Sequence, residues 1–176
     1  MNMRARGFTL IELMIALSIF AILVLLALPV YATFMGNTQI RNAAENSLTG
    51  VRLAQATAIK ANALAKFVID AAGWTVYVWN DELADFDVLP VQSYLFAEGA
   101  PQTTRGLTPA GATRLVTFDG LGRVVPDANS LTRIDVTNTN ITNARDLSVV
   151  ISSIGGNAGI KLCDVAVLAP DPRACP

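Results

Sequence analysis

Nineteen consecutive residues, Leu13 to Tyr31, carry no charge. As a helix rising about 1.5 Å per residue they extend roughly 28 Å, close to the roughly 30 Å of a bilayer's hydrocarbon core. Such a run has few fates: it crosses a membrane, or other chains cover it. Arg4 and Arg6 precede it and no basic residue follows until Arg41. That asymmetry keeps the leader in the cytoplasm and sends the remainder outward.

An ordinary secretory signal shares the basic start, and the small residues around Val30-Tyr31-Ala32 could serve its peptidase. Two features weigh against it. A secretory hydrophobic region is usually about 7 to 15 residues long, and it does not normally begin with an acid. Glu12 stands at the head of this run, where an acidic group costs up to about 2.5–3.5 kcal/mol at mid-membrane and less near an end. A residue retained at that cost is a functional candidate.

The order Gly7-Phe8-Thr9-Leu10-Ile11-Glu12, followed by an apolar run containing Pro29, resembles the class III signal of type IV pilins and type II secretion pseudopilins. The resemblance implies that prepilin peptidase cuts between Gly7 and Phe8 and methylates the new amine of Phe8. Residues 1–7 are then a leader peptide and residues 8–31 a transmembrane, filament-core helix. Glu12 becomes the fifth residue of the mature chain, where the family has its glutamate. It also implies a bacterial inner-membrane protein with a periplasmic head, assembled with other pilin or pseudopilin subunits.

Elementary electrostatics gives Glu12 a reason of its own. A buried charge persists only when paired or neutralised, and cleavage creates an amine four residues away. Amine and carboxylate can satisfy each other within one chain or between stacked neighbours. Between neighbours the pair also sets axial register, since a one-turn slip leaves both charges unpaired.

Half the chain is hydrophobic, but the excess sits in the first thirty-one residues, and the remainder suits one small domain on a stalk. From Ala32 to about Lys66 the chain is rich in Ala, Asn, Gln and Thr. Apolar residues recur at Ile40, Ala44, Leu48, Val51, Ala54 or Gln55, Ala58 and Leu64 or Ala65. Steps of three and four predict an amphipathic continuation of the helix over 32–66. Pro29 removes one helix hydrogen bond and Gly36 adds a weak point, so a bend or local melting is expected between Leu25 and Gly36.

After Lys66 the period becomes two. Residues 66–70 and 73–80 read as one hairpin, and 114–118 with 123–125 as another around Asp119-Gly120-Leu121-Gly122; strands are also expected over 131–137, 146–153 and 159–163. The expected fold is α+β: a long N-terminal helix packed on an antiparallel β-sheet head over 67–176, pilin-like. Residues 81–111 show little periodicity and several acids, Asp81, Glu82, Asp85, Asp87 and Glu98. They read as solvated loops crossing the sheet, matching no complete calcium-binding loop. Cys163 and Cys175 are the natural disulfide of an exported protein, worth about 3 kcal/mol for a loop of this size.

The chain has no histidine, which removes Ser-His-Asp and Cys-His catalysis and every histidine zinc site. Gly155-Gly156-Asn157-Ala158-Gly159 lies too close to the C-terminus for a nucleotide-binding unit and reads as a turn. No enzyme, cofactor or metal is expected.

The Phe118-Asp119-Gly120-Leu121-Gly122-Arg123 hairpin, the late strand Ile160-Lys161-Leu162-Cys163-Asp164 and the terminal Asp171-Pro172-Arg173-Ala174-Cys175-Pro176 resemble the head of the GspH/FimT group of minor pilins and pseudopilins. The resemblance implies a low-abundance subunit that helps initiate assembly at or near a filament tip. Some FimT-like members bind DNA through a glycine- and arginine-rich segment before the first C-terminal cysteine. Here that place reads Gly159-Ile160-Lys161, with a single cation. Residues 67–176 hold seven basic and twelve acidic side chains, a balance that opposes phosphate binding. Six of those acids lie between Asp70 and Glu98, so Arg123, Lys161 and Arg173 remain candidates for a local DNA patch. A minor pilin is the leading expectation. A DNA-binding pilin for natural transformation and a type II secretion pseudopilin are the competing ones.

Overall fold

The computed structural model describes residues 8–111, 113–154 and 157–176. The leader, with Gly7 of the expected cleavage site, and Gly155 and Gly156 of the expected turn lie outside the described residues. Asn157, Ala158 and Gly159 belong to a strand rather than to a turn.

One helix, α1, runs from Leu10 to Ala61, about 78 Å at the usual rise. Thr9 caps it: its side-chain oxygen accepts the Glu12 amide at 3.3 Å, satisfying one of the donors a helix start leaves free. The helix is unbroken through Pro29 and Gly36, so the local melting expected there is absent. Turn-by-turn bonding on either side outweighs the single bond that Pro29 removes at the Leu25 carbonyl. The helix also stops at Ala61 and does not continue to Lys66. Asn62 takes a left-handed conformation (φ 48°) and its N–H bonds back to the Ala58 and Ile59 carbonyls, a common helix terminator.

Beyond residue 35, α1 buries Gly36, Ile40, Ala43, Ala44, Ser47, Gly50, Val51, Ala54 and Ala58. Most are small, which brings the sheets close to the helix axis. A Cβ on Gly50 would stand 2.7 Å from the rings of Phe67 and Trp74, and one on Gly36 2.6 Å from the Ile141 side chain. Both glycines are there for close approach. Ser47 lies in the core with its hydroxyl donating to the Ala43 carbonyl at 2.8 Å.

The head contains two antiparallel sheets where one was expected. The first holds β1 (Ala65–Ile69), β2 (Gly73–Asn80), β3 (Asp85–Phe86), β4 (Gln92–Leu95) and β6 (Arg114–Phe118); the second holds β5 (Thr104–Thr108), β7 (Arg133–Thr137), β8 (Leu147–Ile154) and β9 (Asn157–Asp164). The first runs in the order β3-β2-β1-β6, with β4 on the other half of the β2 edge, and the second in the order β5-β7-β8-β9. In β1–β2 Phe67 opposes Val76 and Ile69 opposes Trp74. Alternate residues of β1 therefore enter the core and the others face away. A turn of 3₁₀ helix at Phe96–Glu98 follows β4 and buries Phe96. Both sheets pack on α1 around Phe67, Phe96, Phe118, Ile40 and Ile134. The expected strand 123–125 is reduced to one bridge, Phe118 with Val124, and β3, β4 and β5 occupy the stretch 81–111 read from sequence as loops.

Candidate functional site

Most of the features singled out by the sequence lie in two regions, α1 up to Gly36 and a clamp at the C-terminus. Residues 8 to 32 are exposed throughout, including Phe8, Leu10, Leu17, Phe20 and Leu26. The helix contains a stretch long and apolar enough to cross a membrane, and no part of that stretch is covered by the head. An apolar surface so large is an unfinished interface with lipid or protein. At its tip, Thr9 and Glu12 sit three residues apart as in a capping box, of which the Thr9 half is formed. Glu12 lies in the first turn, beside the positive end of the helix dipole. A Phe8 amine freed by cleavage would stand about one helical turn below it.

Pro29 lies in the exposed part of α1, and Gly36 is the first residue of the helix to be buried. The segment between β7 and β8 closes over Gly36. Ile141 packs on the glycine, Asn138 is fully buried beside it, and the Arg145 amide donates to Asn37 Oδ1 at 2.8 Å. Gly36 thus marks where the bare helix ends and the head begins.

At the C-terminus Cys163 and Cys175 are joined by a disulfide of 2.07 Å. It fastens the last residues to β9 beside Asp164, which is 3 % exposed. The Asp164 amide donates to the Arg173 carbonyl at 2.8 Å, and its carboxylate accepts Arg145 Nε at 2.6 Å and the Ala166 amide at 3.0 Å. Removing Arg145 would leave a buried carboxylate without its ion-pair partner, the costly way to break such a pair. Arg173 bonds Asp171 through Nε at 3.1 Å and Nη2 at 2.8 Å. Hydrogen bonds from the Arg173 side chain and amide hold the Asp171 carboxyl down at about 2, and the Arg173 guanidinium is correspondingly pushed up.

The three cations proposed for a DNA patch do not form one cluster. Lys161 donates to the Ala174 carbonyl at 2.8 Å, on the clamp that also carries Arg173. Arg123 pairs with Asp119 at 2.7 Å, in a turn that packs at the far end of α1, where Gln55 donates to the Gly122 carbonyl. Arg173 instead borders the groove that reaches Phe34 and Arg41. The Arg123–Asp119 hydrogen bonds lower the Asp119 pKa.

Three of the four acids of residues 81–87 are spent on local turns and neighbours: Trp79 donates to Asp81, Asn80 to Asp87, and the Phe86 amide to Asp85. Among the described residues no group of three or more acids or cysteines is placed to hold a metal ion. The sequence reading missed Arg145, Asn37 and Asp164 as a unit, since their partners lie 108 and 19 residues apart. It also missed the Thr9-x-x-Glu12 capping spacing, which was visible.

A long helix, half bare and half packed on an antiparallel two-sheet head, is a pilin-type architecture, and residues 2–28 match the prokaryotic N-terminal methylation motif. The chain belongs to the family of the type II transport protein GspH, whose family model matches residues 43–155. It is a pilin-like or pseudopilin-like subunit of a structural family. A class III signal implies processing by prepilin peptidase and assembly with other such subunits. No curated protein and no solved structure gives a significant match.

Proposed function

We propose that the chain is a minor type IV pilin, cut between Gly7 and Phe8, N-methylated on Phe8, and held in the inner membrane by residues 8–31. Residues 32–66 carry the periplasmic head, 67–176, and the subunit helps to initiate or cap filament assembly at or near the tip. The observation that carries this reading is the uncovered apolar surface of residues 8–32, which both a bilayer and a filament core would bury. Glu12 pairs with a Phe8 amine, setting register between neighbours, and Pro29 lets the helix bend as it leaves the bilayer. Mass spectrometry of the chain isolated from its own cells tests the processing step. A mature chain starting at a monomethylated Phe8 is expected; a chain retaining Met1–Gly7, or cut near Ala32, contradicts it.

The second reading, a type II secretion pseudopilin, is favoured by the family description. Deleting the gene separates the two: loss of surface pili supports the first, and loss of exoprotein secretion with normal piliation supports the second. DNA binding is the third. Its support is that Lys161, bonded to the Ala174 carbonyl, and Arg173 lie on one clamp. Salt-dependent gel shift by the head, abolished in Lys161→Glu, would establish it; no shift at low salt would end it.

A further inference from the structure

A groove of about 460 Å³ runs at the base of the head between α1 and the lower ends of β8 and β9. Phe34, Leu147 and Leu162 make its apolar lining; Arg41, Arg145 and Arg173 border it, together with the carboxylates of Glu45 and Asp164. A second groove, of about 480 Å³, shares Phe34 and Asn37 with the first and continues to Val30 and Pro29. The two adjoin at Phe34 and Asn37, with Pro29 and Val30 at the lower end and the guanidinium groups at the upper.

The three arginines are paired with Glu45, Asp164 and Asp171, so the formal charges balance. What faces solvent does not balance. The arginine side chains are 73, 58 and 63 % exposed, their partners 47, 4 and 31 %. Arg145 bonds Asp164 through Nε, leaving its terminal nitrogens for an outside acceptor. The groove thus presents donors and positive charge to a ligand that is anionic at one end and apolar at the other.

Position names the ligand. Pro29 and Val30 lie in the last turn of the span proposed above. Asn37 stands about 9 Å and Arg41 about 15 Å beyond Tyr31 along the helix. The polar layer of a bilayer occupies roughly 5–8 Å on each side, and arginine side chains reach back toward it along apolar surface. The guanidinium groups can therefore meet headgroups while Phe34 and Val30 lie against acyl chains.

We propose that this double groove holds one anionic glycerophospholipid of the leaflet beneath the head, its phosphodiester between Arg145 and Arg173 and an acyl chain along Phe34, Val30 and Pro29. The proposal rests on residues 8–31 spanning the membrane. The lipid tethers the head to the bilayer, and it is shed when the helix moves into a filament.

Native mass spectrometry of the full-length chain in detergent, supplied with phosphatidylglycerol or phosphatidylcholine, tests it. One phosphatidylglycerol retained per chain, with about a tenfold preference over phosphatidylcholine, is expected. Arg41→Gln/Arg173→Gln, which removes two exposed charges and leaves the buried Asp164 paired, should bring that preference close to parity. Arg52→Gln/Lys60→Gln, farther along α1, should leave it unchanged. Equal retention of both lipids, or an unchanged preference in Arg41→Gln/Arg173→Gln, overturns the proposal. So does displacement of the lipid by inorganic phosphate, which would make this a small-anion site, or retention of a second polypeptide in its place. Failure of the chain to fractionate with membranes would overturn the span itself; membrane insertion without lipid preference would overturn only the groove.

Discussion

Residues 10–35 and 36–61 belong to one continuous helix, yet they obey different rules. The first half is built from Leu, Ile, Val and Phe and buries none of them in its own chain; the second uses Ala, Gly, Ser and Val and buries a full stripe. Large side chains suit a half whose partner is deformable lipid or a neighbouring helix. Small ones suit a half pressed against preformed sheets, where a single methyl group is felt. The comparison separates two jobs along one element: the packed half stabilises the head, and the bare half waits for an outside partner.

The largest effect on the head itself should come from reducing Cys163–Cys175. The chain-entropy model gives about 3 kcal/mol for a loop of this size, read as a lower urea midpoint; an unchanged midpoint would mean that the clamp is not part of the folded unit. Gly50→Ala comes next. Its new methyl meets the Phe67 and Trp74 rings at 2.7 Å, an overpacking cost of about 1–3 kcal/mol. A helix propensity gain of about 1 kcal/mol offsets part of this. In the bare half, Leu17→Ala should leave the thermal midpoint of the head where it was, and a drop there would erase the proposed division. The smallest effect concerns pH. Asp171 is held at about 2 against an ordinary 3.8, so its contribution is complete above about pH 4 and lost as pH falls through 2. Asp171→Asn should flatten the stability profile slightly across that window, and only slightly because the pair is exposed to solvent.

Much of this was legible in the chain. The charge-free run, the three-and-four spacing of the stalk, and the alternation in residues 66–70, 73–80 and 131–137 each report burial by neighbours of a fixed type. Three strands of the second sheet, β7, β8 and β9, were legible; its edge strand β5, Thr-Arg-Gly-Leu-Thr, was not, because it has only one large apolar residue and an exposed outer row. β4, Gln-Ser-Tyr-Leu, on the edge of the first sheet, is mostly exposed as well, so neither shows an apolar period. The strand expected at 123–125 fails for a local reason. The Asp119 carboxylate accepts the Leu121 and Arg123 amides and Gly122 takes φ +75°, closing the chain into a turn before a ladder can extend. The base of the head depends on Asn37, Arg145 and Asp164 meeting across the fold, which no local pattern encodes.

The division of α1 into a fold-making and an assembly-making half is tested most directly by Glu12→Ala, comparing filament incorporation with head stability in the same strain. The account predicts normal membrane insertion and cleavage, an unchanged thermal midpoint, and no variant in purified filaments. Normal incorporation of Glu12→Ala, or loss of incorporation together with a destabilised head, would contradict it.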